Sequence, residues 1–225
     1  MKTVCCLVFV SILLVRTCYS QADAQLDLNG PIPAAVHEAH SHRFTQKLGV
    51  LSAKEGTTLS MGVGRGMGFF PKNPPTRDEL LKQMVCSVDA AAVALIGESE
   101  SSLTSDREGV FTDSLARIKT IVRDNPKHAL ALNGVIVIGR PGGIVEVSPR
   151  TKVDVFVEDS PPFLKGNEYL VFLRYVPESE QYTSTGDLFQ VDGMLFKAVP
   201  PSPDVTRYDF SALTSIAEKA TCPKK

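Results

Sequence analysis

The feature that most limits the fold of this chain is a succession of short β-branched and apolar runs that begins at Ala91. Turn residues separate the runs, and no helix of crossover length is predicted between them. Runs of this kind are typical of strands, and strands joined by short connections pair antiparallel. The sequence therefore predicts about seven strands, over residues 92–98, 110–122, 135–138, 144–147, 153–157 and 169–175 and in a hairpin over 182–197.

Two breaks between these runs carry turn chemistry. Arg140-Pro141-Gly142-Gly143 places proline before glycine, as a type II turn favours, and Asp192-Gly193 is a strong signal for a two-residue hairpin. We therefore expect antiparallel neighbours at these turns. The whole pattern favours an antiparallel barrel or sandwich over a parallel, doubly wound sheet.

Helices are predicted before and after the strands. Thr76-Arg77-Asp78-Glu79 matches a capping box, and the apolar residues that follow it recur at spacings that place them on one helix face. Near the carboxyl terminus, residues 209–220 also show helical spacing. The sequence thus predicts one mostly β domain over residues 76–225, flanked by an N-terminal and a C-terminal helix.

The first residues are typical of an export signal. Lys2 precedes an apolar run of about 12 residues, which fits the core of a signal peptide and is too short to span a bilayer. We expect cleavage between Gln21 and Gln25, which assigns residues 1–24 to the signal. Lipid attachment at Cys18 is the alternative.

Residues 25–75 are poor in core-forming residues. They hold a histidine cluster, an alternating glycine run over residues 62–68 and several prolines, and glycine and proline at this density oppose regular structure. We therefore expect a flexible arm over residues 25–75, with one short extended stretch near residues 57–61.

Three of the five cysteines lie in the predicted signal, which leaves Cys86 and Cys222. In an oxidising compartment such a pair is most simply a disulfide, and two free buried thiols are the alternative. The bridge would tie the two predicted helices together. With the signal, it predicts a secreted or periplasmic protein.

The charge of the chain excludes one large class of partners. The formal net charge is −1 and both signs are mixed along the chain, so there is no basic field for a phosphate backbone. After the signal, no apolar segment approaches the length of a membrane span. We expect an extracytoplasmic protein or carbohydrate as partner, and no nucleic acid.

Several segments of the chain resemble those of known secreted proteins. They are a strand that follows Cys86 and Asp89, Phe111-Thr112-Asp113, the turn at residues 140–143, and Leu164-Lys165-Gly166-Asn167-Glu168-Tyr169-Leu170-Val171-Phe172-Leu173. This order, which covers about half the chain, resembles a group of uncharacterised secreted bacterial β-barrel proteins. The same rhythm is similar to the netrin-like modules, which include tissue inhibitors of metalloproteinases.

The resemblance implies a small Greek-key barrel of the oligonucleotide/oligosaccharide-binding class and a partner-binding role. Netrin-like modules are rich in disulfides, and the inhibitors reach a zinc ion with an N-terminal cysteine. The predicted mature chain has two cysteines and none at its start. Inhibition of metalloproteases is therefore not carried over to this chain.

His37, His40 and His42 are the candidate metal ligands. Imidazoles at such spacing bind zinc, copper or nickel once another ligand arrives from elsewhere in the chain. His37 and His40 are three residues apart, which differs from the zinc-protease pattern. The alternative is a solvated polar stretch within the flexible arm.

No segment carries a catalytic or cofactor signature. Gly97-Glu98-Ser99-Glu100-Ser101 has part of a nucleophile elbow, but its last position is serine and no helix follows it. His128 lies in a predicted loop, where a solvated side chain is the simpler interpretation. We therefore predict no catalytic residue and no cofactor.

These observations favour an exported, non-catalytic binding or structural module. Its loops, at residues 98–109 and 158–165, would face the partner. The alternative is a hydrolase of the cell envelope that acts through carboxylates, none of which stands out in the sequence.

Overall fold

The chain is mostly β-strand. The computed structural model describes residues 26–44, 58–63, 76–157, 160–184, 188–192, 195–199, 208–220 and 222. The helices in this part of the chain are α1 (Ala34–Ser41), α2 (Arg77–Ser87) and α3 (Phe210–Lys219). The strands are β1 (Thr58–Val63), β2 (Ala90–Leu103), β3 (Val110–Arg123), β4 (Val135–Pro141), β5 (Gly143–Ser148), β6 (Thr151–Val157), β7 (Glu168–Val176), β8 (Gln181–Ser184), β9 (Leu188–Asp192), β10 (Leu195–Val199) and β11 (Tyr208–Asp209).

Eight strands form one mixed sheet in the order β11-β10-β9-β7-β2-β3-β4-β8. Strand β8 also pairs with β7, so the pairs β2–β3, β3–β4, β4–β8, β8–β7 and β7–β2 make a closed cycle. All pairs of this cycle are antiparallel except β4–β8, which is parallel. Each of the five strands contributes to one apolar core, which includes Ala92, Ile118, Ile138, Leu173 and Tyr182.

A second, three-stranded sheet has the order β1-β6-β5. Here β5 is antiparallel to β6, whereas β1 is parallel to it. The turn expected at residues 140–143 therefore does not join paired strands: it passes the chain from β4 in the larger sheet to β5 in the smaller one. Gly142 and Gly143 have φ angles of +91° and +131°, which glycine adopts without strain. The expectation of an antiparallel hairpin at this turn was wrong.

Helix α2 begins at the predicted capping box. The Thr76 side chain accepts a hydrogen bond from the Glu79 amide, and the Glu79 carboxylate accepts one from the Thr76 amide. Leu81, Val85 and Val88 then pack with β2 and β7 residues in a second apolar cluster, which Ile216 of α3 borders. The predicted disulfide is present: Cys86 and Cys222 are joined with a Cα–Cα distance of 5.2 Å.

Residues 26–44 do not form part of a flexible arm. Leu28, Ile32 and Val36 are buried against Leu115 and Val137, and His40 is fully buried in the same segment. Residues 58–63 form β1, which pairs with β6 over its whole length. In both segments, the residues therefore pack or pair with strands that are distant in sequence. The predicted signal, residues 1–24, and residues 25, 45–57 and 64–75 of the expected arm lie outside the described residues.

The expected hairpin over 182–197 is divided among three strands. Tyr182 belongs to β8, which pairs with β4 and β7, while β9 and β10 are antiparallel, with Asp192 opposite Leu195. The expected loop over 98–109 is also shorter than predicted, because β2 extends to Leu103. None of the helices described in the structure is long and apolar enough to cross a membrane.

Candidate functional site

Polar side chains of strands β2, β3 and β4 alternate between the two faces of the sheet. Hydroxyl groups lie on one face and carboxylates on the other. Cross-strand partners are Ser99↔Ser114, Glu100↔Asp113 and Ser101↔Thr112 between β2 and β3, and Asp113↔Gly139 and Thr112↔Arg140 between β3 and β4. Because successive side chains of a strand point to opposite faces, the hydroxyls and Arg140 share one face. The carboxylates share the other face with Gly139.

The hydroxyl face lines a pocket of about 640 Å³ between the two sheets, which we call the Arg140 pocket. This volume lies within the range of small-molecule sites. Its lining consists of Ser99, Ser101, Thr112, Ser114, Arg140, Pro141, Gly142, Gly143, Ile144, Asp154, Val155, Phe156, Val157, Ser160, Pro162 and Phe163. Apolar atoms therefore dominate the wall, and a few polar groups interrupt it.

The hydroxyls of the pocket are paired with one another. Ser99 Oγ lies 2.8 Å from Ser114 Oγ, and Ser101 Oγ lies 2.8 Å from Thr112 Oγ1. Thr112 Oγ1 also donates to the carbonyl oxygen of Gly142 at 2.7 Å, which holds the turn between the sheets against β3. These contacts fix the wall of the pocket before any ligand binds.

Arg140 is the most unusual group in the pocket. Only 3% of the residue is exposed, and Nη2 donates to Ser160 Oγ at 2.8 Å. The guanidinium carbon lies 4.6 Å from the centre of the Phe163 ring. Nε and Nη1 are buried without hydrogen-bond partners, and no carboxylate of the described residues forms an ion pair with Arg140. Burial accordingly lowers the pKa of Arg140 to about 9.

The opposite face carries a second polar group, the Asp113 cluster, formed by His37, His40, Glu100, Asp113 and Ser179. His40 Nδ1 lies 2.6 Å from Asp113 Oδ1, and His40 Nε2 lies 3.2 Å from Ser179 Oγ. Both His40 and Asp113 are fully buried. One carboxylate on β3 thus anchors helix α1, and His40 links it to the β7–β8 turn.

His37 contacts two carboxylates of this cluster. Its Nδ1 lies 2.7 Å from Asp113 Oδ2 and its Nε2 lies 3.2 Å from Glu100 Oε2, although neither contact has the alignment of a hydrogen bond. Its ring edge also faces Phe111, at 6.1 Å between ring centres. The nearby Asp113 carboxylate, with a smaller contribution from Glu100, raises the pKa of His37 despite its partial burial.

Two glycines allow these elements to approach. A Cβ atom on Gly139 would lie 2.8 Å from His40 Nδ1 and 2.9 Å from Asp113 Oδ1, so the histidine rests directly on the β4 backbone. A Cβ atom on Gly97 would collide with the backbone and side chain of Leu28. The Gly97-Glu98-Ser99 sequence therefore serves the packing of residues 26–44 against β2.

The structure separates the three predicted metal ligands. His37 and His40 both face Asp113, whereas His42 is exposed and lies 3.0 Å from Glu38 Oε1 on its own segment. Within the described ranges, no group of three or more histidine, cysteine, aspartate or glutamate residues has the arrangement of a metal site. His128 is exposed, as expected for a loop, and its ring stacks on Tyr175 at 3.7 Å.

Comparison of the chain with family models, with curated proteins and with solved structures finds no match. The site is therefore interpreted from its own geometry.

Sequence reasoning finds His37 and His40 as candidate site residues but misses Asp113, which contacts both of them, and misses the Arg140 pocket. The sequence pattern assigns Arg140 to a turn beside Pro141, and it places Ser99 and Ser101 only in part of a nucleophile elbow. One sequence signal could have indicated that Arg140 is buried. Arg140 directly follows the apolar run over residues 135–139, and a continuous apolar run is typical of a strand that is buried on both faces. Asp113, which contacts His40 across 73 positions, has no local signal.

Proposed function

We propose that this protein is an exported, non-catalytic binding module that holds a small ligand in the Arg140 pocket. The observation that carries the proposal is the pocket itself, which combines ligand-sized volume, a mostly apolar wall and a few fixed polar groups. Sites for small molecules in proteins have this composition. A protein or carbohydrate partner at the loops remains compatible with such a module.

The fold supports a barrel of the oligonucleotide/oligosaccharide-binding class. That class is a five-stranded, partly open Greek-key barrel. The closed cycle of β2, β3, β4, β8 and β7 has five strands, and its single parallel pair joins β4 to the last strand of the cycle. The netrin-like resemblance implies the same class, so we propose that the cycle is such a barrel, with α2 and α3 flanking it.

Export is supported by two independent features. Residues 1–24 have the pattern of a cleaved signal, and the pair Cys86–Cys222 is bonded. Structural disulfides persist in oxidising compartments and are rare in the cytosol. We propose a secreted or periplasmic location on these grounds.

Binding in the pocket is tested with a neutral, apolar fluorescent dye such as Nile red, titrated into the oxidised protein. Ser99 is exposed at the pocket wall, so Ser99→Trp places a large ring in the pocket with little effect on the core. We expect saturable dye fluorescence that Ser99→Trp reduces at least about tenfold in affinity, since an indole fills much of the apolar space.

Ser105→Trp is the matched control, because Ser105 is also exposed and does not line the pocket. It should bind the dye like the wild type. Dye that fails to bind the folded wild type, or that binds Ser99→Trp equally well, would remove the support for a ligand pocket.

A second candidate function is hydrolysis. The sequence analysis assigned this alternative to carboxylates that it could not identify. In the structure, a different group has the order of a catalytic triad, with Ser179 as nucleophile, His40 as base and Asp113 as orienting acid. The Ser179 hydroxyl is already engaged in its turn, donating to the Val176 carbonyl and accepting from the Gln181 amide, both at 3.3 Å. The lining of the Arg140 pocket also does not include Ser179. We therefore place binding first.

The two functions differ in one measurement. A serine hydrolase would be labelled by a fluorophosphonate probe, and Ser179→Ala would abolish the label. We expect no labelling at Ser179 in the folded protein. Stoichiometric labelling that Ser179→Ala removes would reverse the order of the two candidates.

A further inference from the structure

Arg140 is a buried cation that has no ion pair in the described part of the chain. A buried cation normally has a carboxylate partner and a full set of hydrogen-bond acceptors. Arg140 has one neutral acceptor, Ser160 Oγ, and the face of Phe163. Two of its nitrogens have neither. Among the described residues, the fold therefore places a buried cation beside the pocket with no ion-paired carboxylate.

The free donors have the geometry of a bidentate contact. A guanidinium presents two edges, each with a pair of parallel N–H bonds, and both edges use one hydrogen of Nη2. Ser160 takes only one of the two Nη2 hydrogens. Because Nε and Nη1 are both unpartnered, one complete edge keeps its pair of N–H donors without an acceptor, and two oxygens of a planar anion match such a pair.

The rest of the pocket favours a single negative charge. Arg140 is the only basic residue among the lining residues that the structure describes, and the carboxylate of Asp154 lines the same pocket. A dianion would need a second cation and would be repelled by Asp154. The exposed apolar side chains Ile144 and Phe156 offer a surface for an apolar body.

We infer that the ligand of the Arg140 pocket is an amphiphilic monocarboxylate, whose carboxylate binds the free edge of Arg140 and whose hydrocarbon body lies along Ile144, Phe156 and Phe163. This inference rests on the proposed binding function of the pocket. Ser160 keeps its hydrogen bond to Nη2 beside the head group, because its hydroxyl takes only one of the two Nη2 hydrogens. The carboxylate accepts from Nη2 and from one of the two nitrogens that lack an acceptor among the described residues.

The test uses four probes with the same ten-carbon chain, which compete with the neutral dye on the oxidised protein. Decanoate should displace the dye at least about tenfold more strongly than decanamide, because a bidentate ionic contact is much stronger than a neutral one. Decyl phosphate and decylamine should both compete more weakly than decanoate. In Arg140→Met the ratio of decanoate to decanamide affinity should fall to about 1, and Arg140→Lys should give an intermediate ratio, since it keeps the charge without the fork.

Each result decides one claim. Equal affinity for decanoate and decanamide, with dye still bound, would overturn the carboxylate assignment and leave the binding function standing. Stronger competition by decyl phosphate would assign the pocket to phosphate instead. A decanoate preference that Arg140→Met retains would show that another group reads the carboxylate. Failure of the wild type to bind the dye would instead sink the proposed function itself.

Discussion

Replacement of Arg140 by methionine is expected to stabilise the free protein. Burial lowers the pKa of Arg140 from its ordinary value to about 9, and no carboxylate of the described residues offsets it. Since one pKa unit corresponds to about 1.4 kcal/mol, the unfavourable free energy of burying the charged form is roughly 5 kcal/mol. Buried charges replaced by apolar residues of similar size commonly give about 1–4 kcal/mol of stability. We expect Arg140→Met to fall in that range.

The pH dependence of this difference has a definite sign. Above the folded pKa near 9 and below the higher pKa of the unfolded state, the unfolded state holds the proton of Arg140 more strongly, so the stability of the wild type rises with pH there. Below about 9, both states are protonated and the whole penalty is present. The stability advantage of Arg140→Met should therefore be largest near neutral pH and smaller at about pH 10.

Urea unfolding of the oxidised protein, followed by circular dichroism, measures this difference. Arg174→Met is the control, because Arg174 is exposed on β7 and its replacement should change stability by less than about 0.5 kcal/mol. An Arg140→Met variant that is less stable than the wild type at neutral pH would refute the reasoning. It would mean that the guanidinium already has partners that offset the free energy of burying its charge. The argument for an anionic ligand would then fail.

Two further outcomes follow from the disulfide and from the Asp113 cluster. Replacing both Cys86 and Cys222 by serine frees a loop with a sequence separation of 136 residues and should lower the free energy of unfolding by up to about 5 kcal/mol, measured by urea unfolding against the oxidised wild type; an unchanged midpoint would contradict it. The pKa of His37 is raised above 6.5, so the stability that protonated His37 contributes is complete below that pH and is lost as the pH rises through the folded pKa. The stability difference between the wild type and His37→Gln should therefore shrink as the pH is raised from about 6 to 8, and a constant difference would refute the role of His37.

The strands could be predicted because their signals are local. Alternating and β-branched runs, with glycine or proline between them, place all the strands from β2 to β7 close to their observed positions. The partners of those strands could not be predicted in the same way. Pro141-Gly142-Gly143 has the chemistry of a hairpin turn, yet β5 pairs with β6 in the smaller sheet, which β1, about 80 residues before β5, completes. Which sheet a strand joins depends on such distant segments.

The packing of residues 26–44 could not be predicted for the same reason. His37, His40 and His42 form a polar stretch that is typical of solvated chain, and nothing nearby shows that Asp113 will receive two of the three imidazoles. Burial of His40 also needs Gly139 beneath it, since a side chain there would occupy the space of the ring. His40, Asp113 and Gly139 indicate a buried site only when they are seen side by side, and the fold places them in contact.

The alternation of the strands explains why Arg140 lacks the partner that the chain does contain. Asp113 is the buried carboxylate nearest to it in register, but Asp113 lies opposite Gly139, while Arg140 lies opposite the neighbouring residue Thr112. Side chains one position apart on a strand point to opposite faces, so this anion and this cation cannot meet across the sheet. The anion is matched on its own face by the imidazoles of α1. On the other face, the described residues supply the cation with only a serine hydroxyl and an aromatic ring, and a bound carboxylate would complete that side as the histidines complete the first.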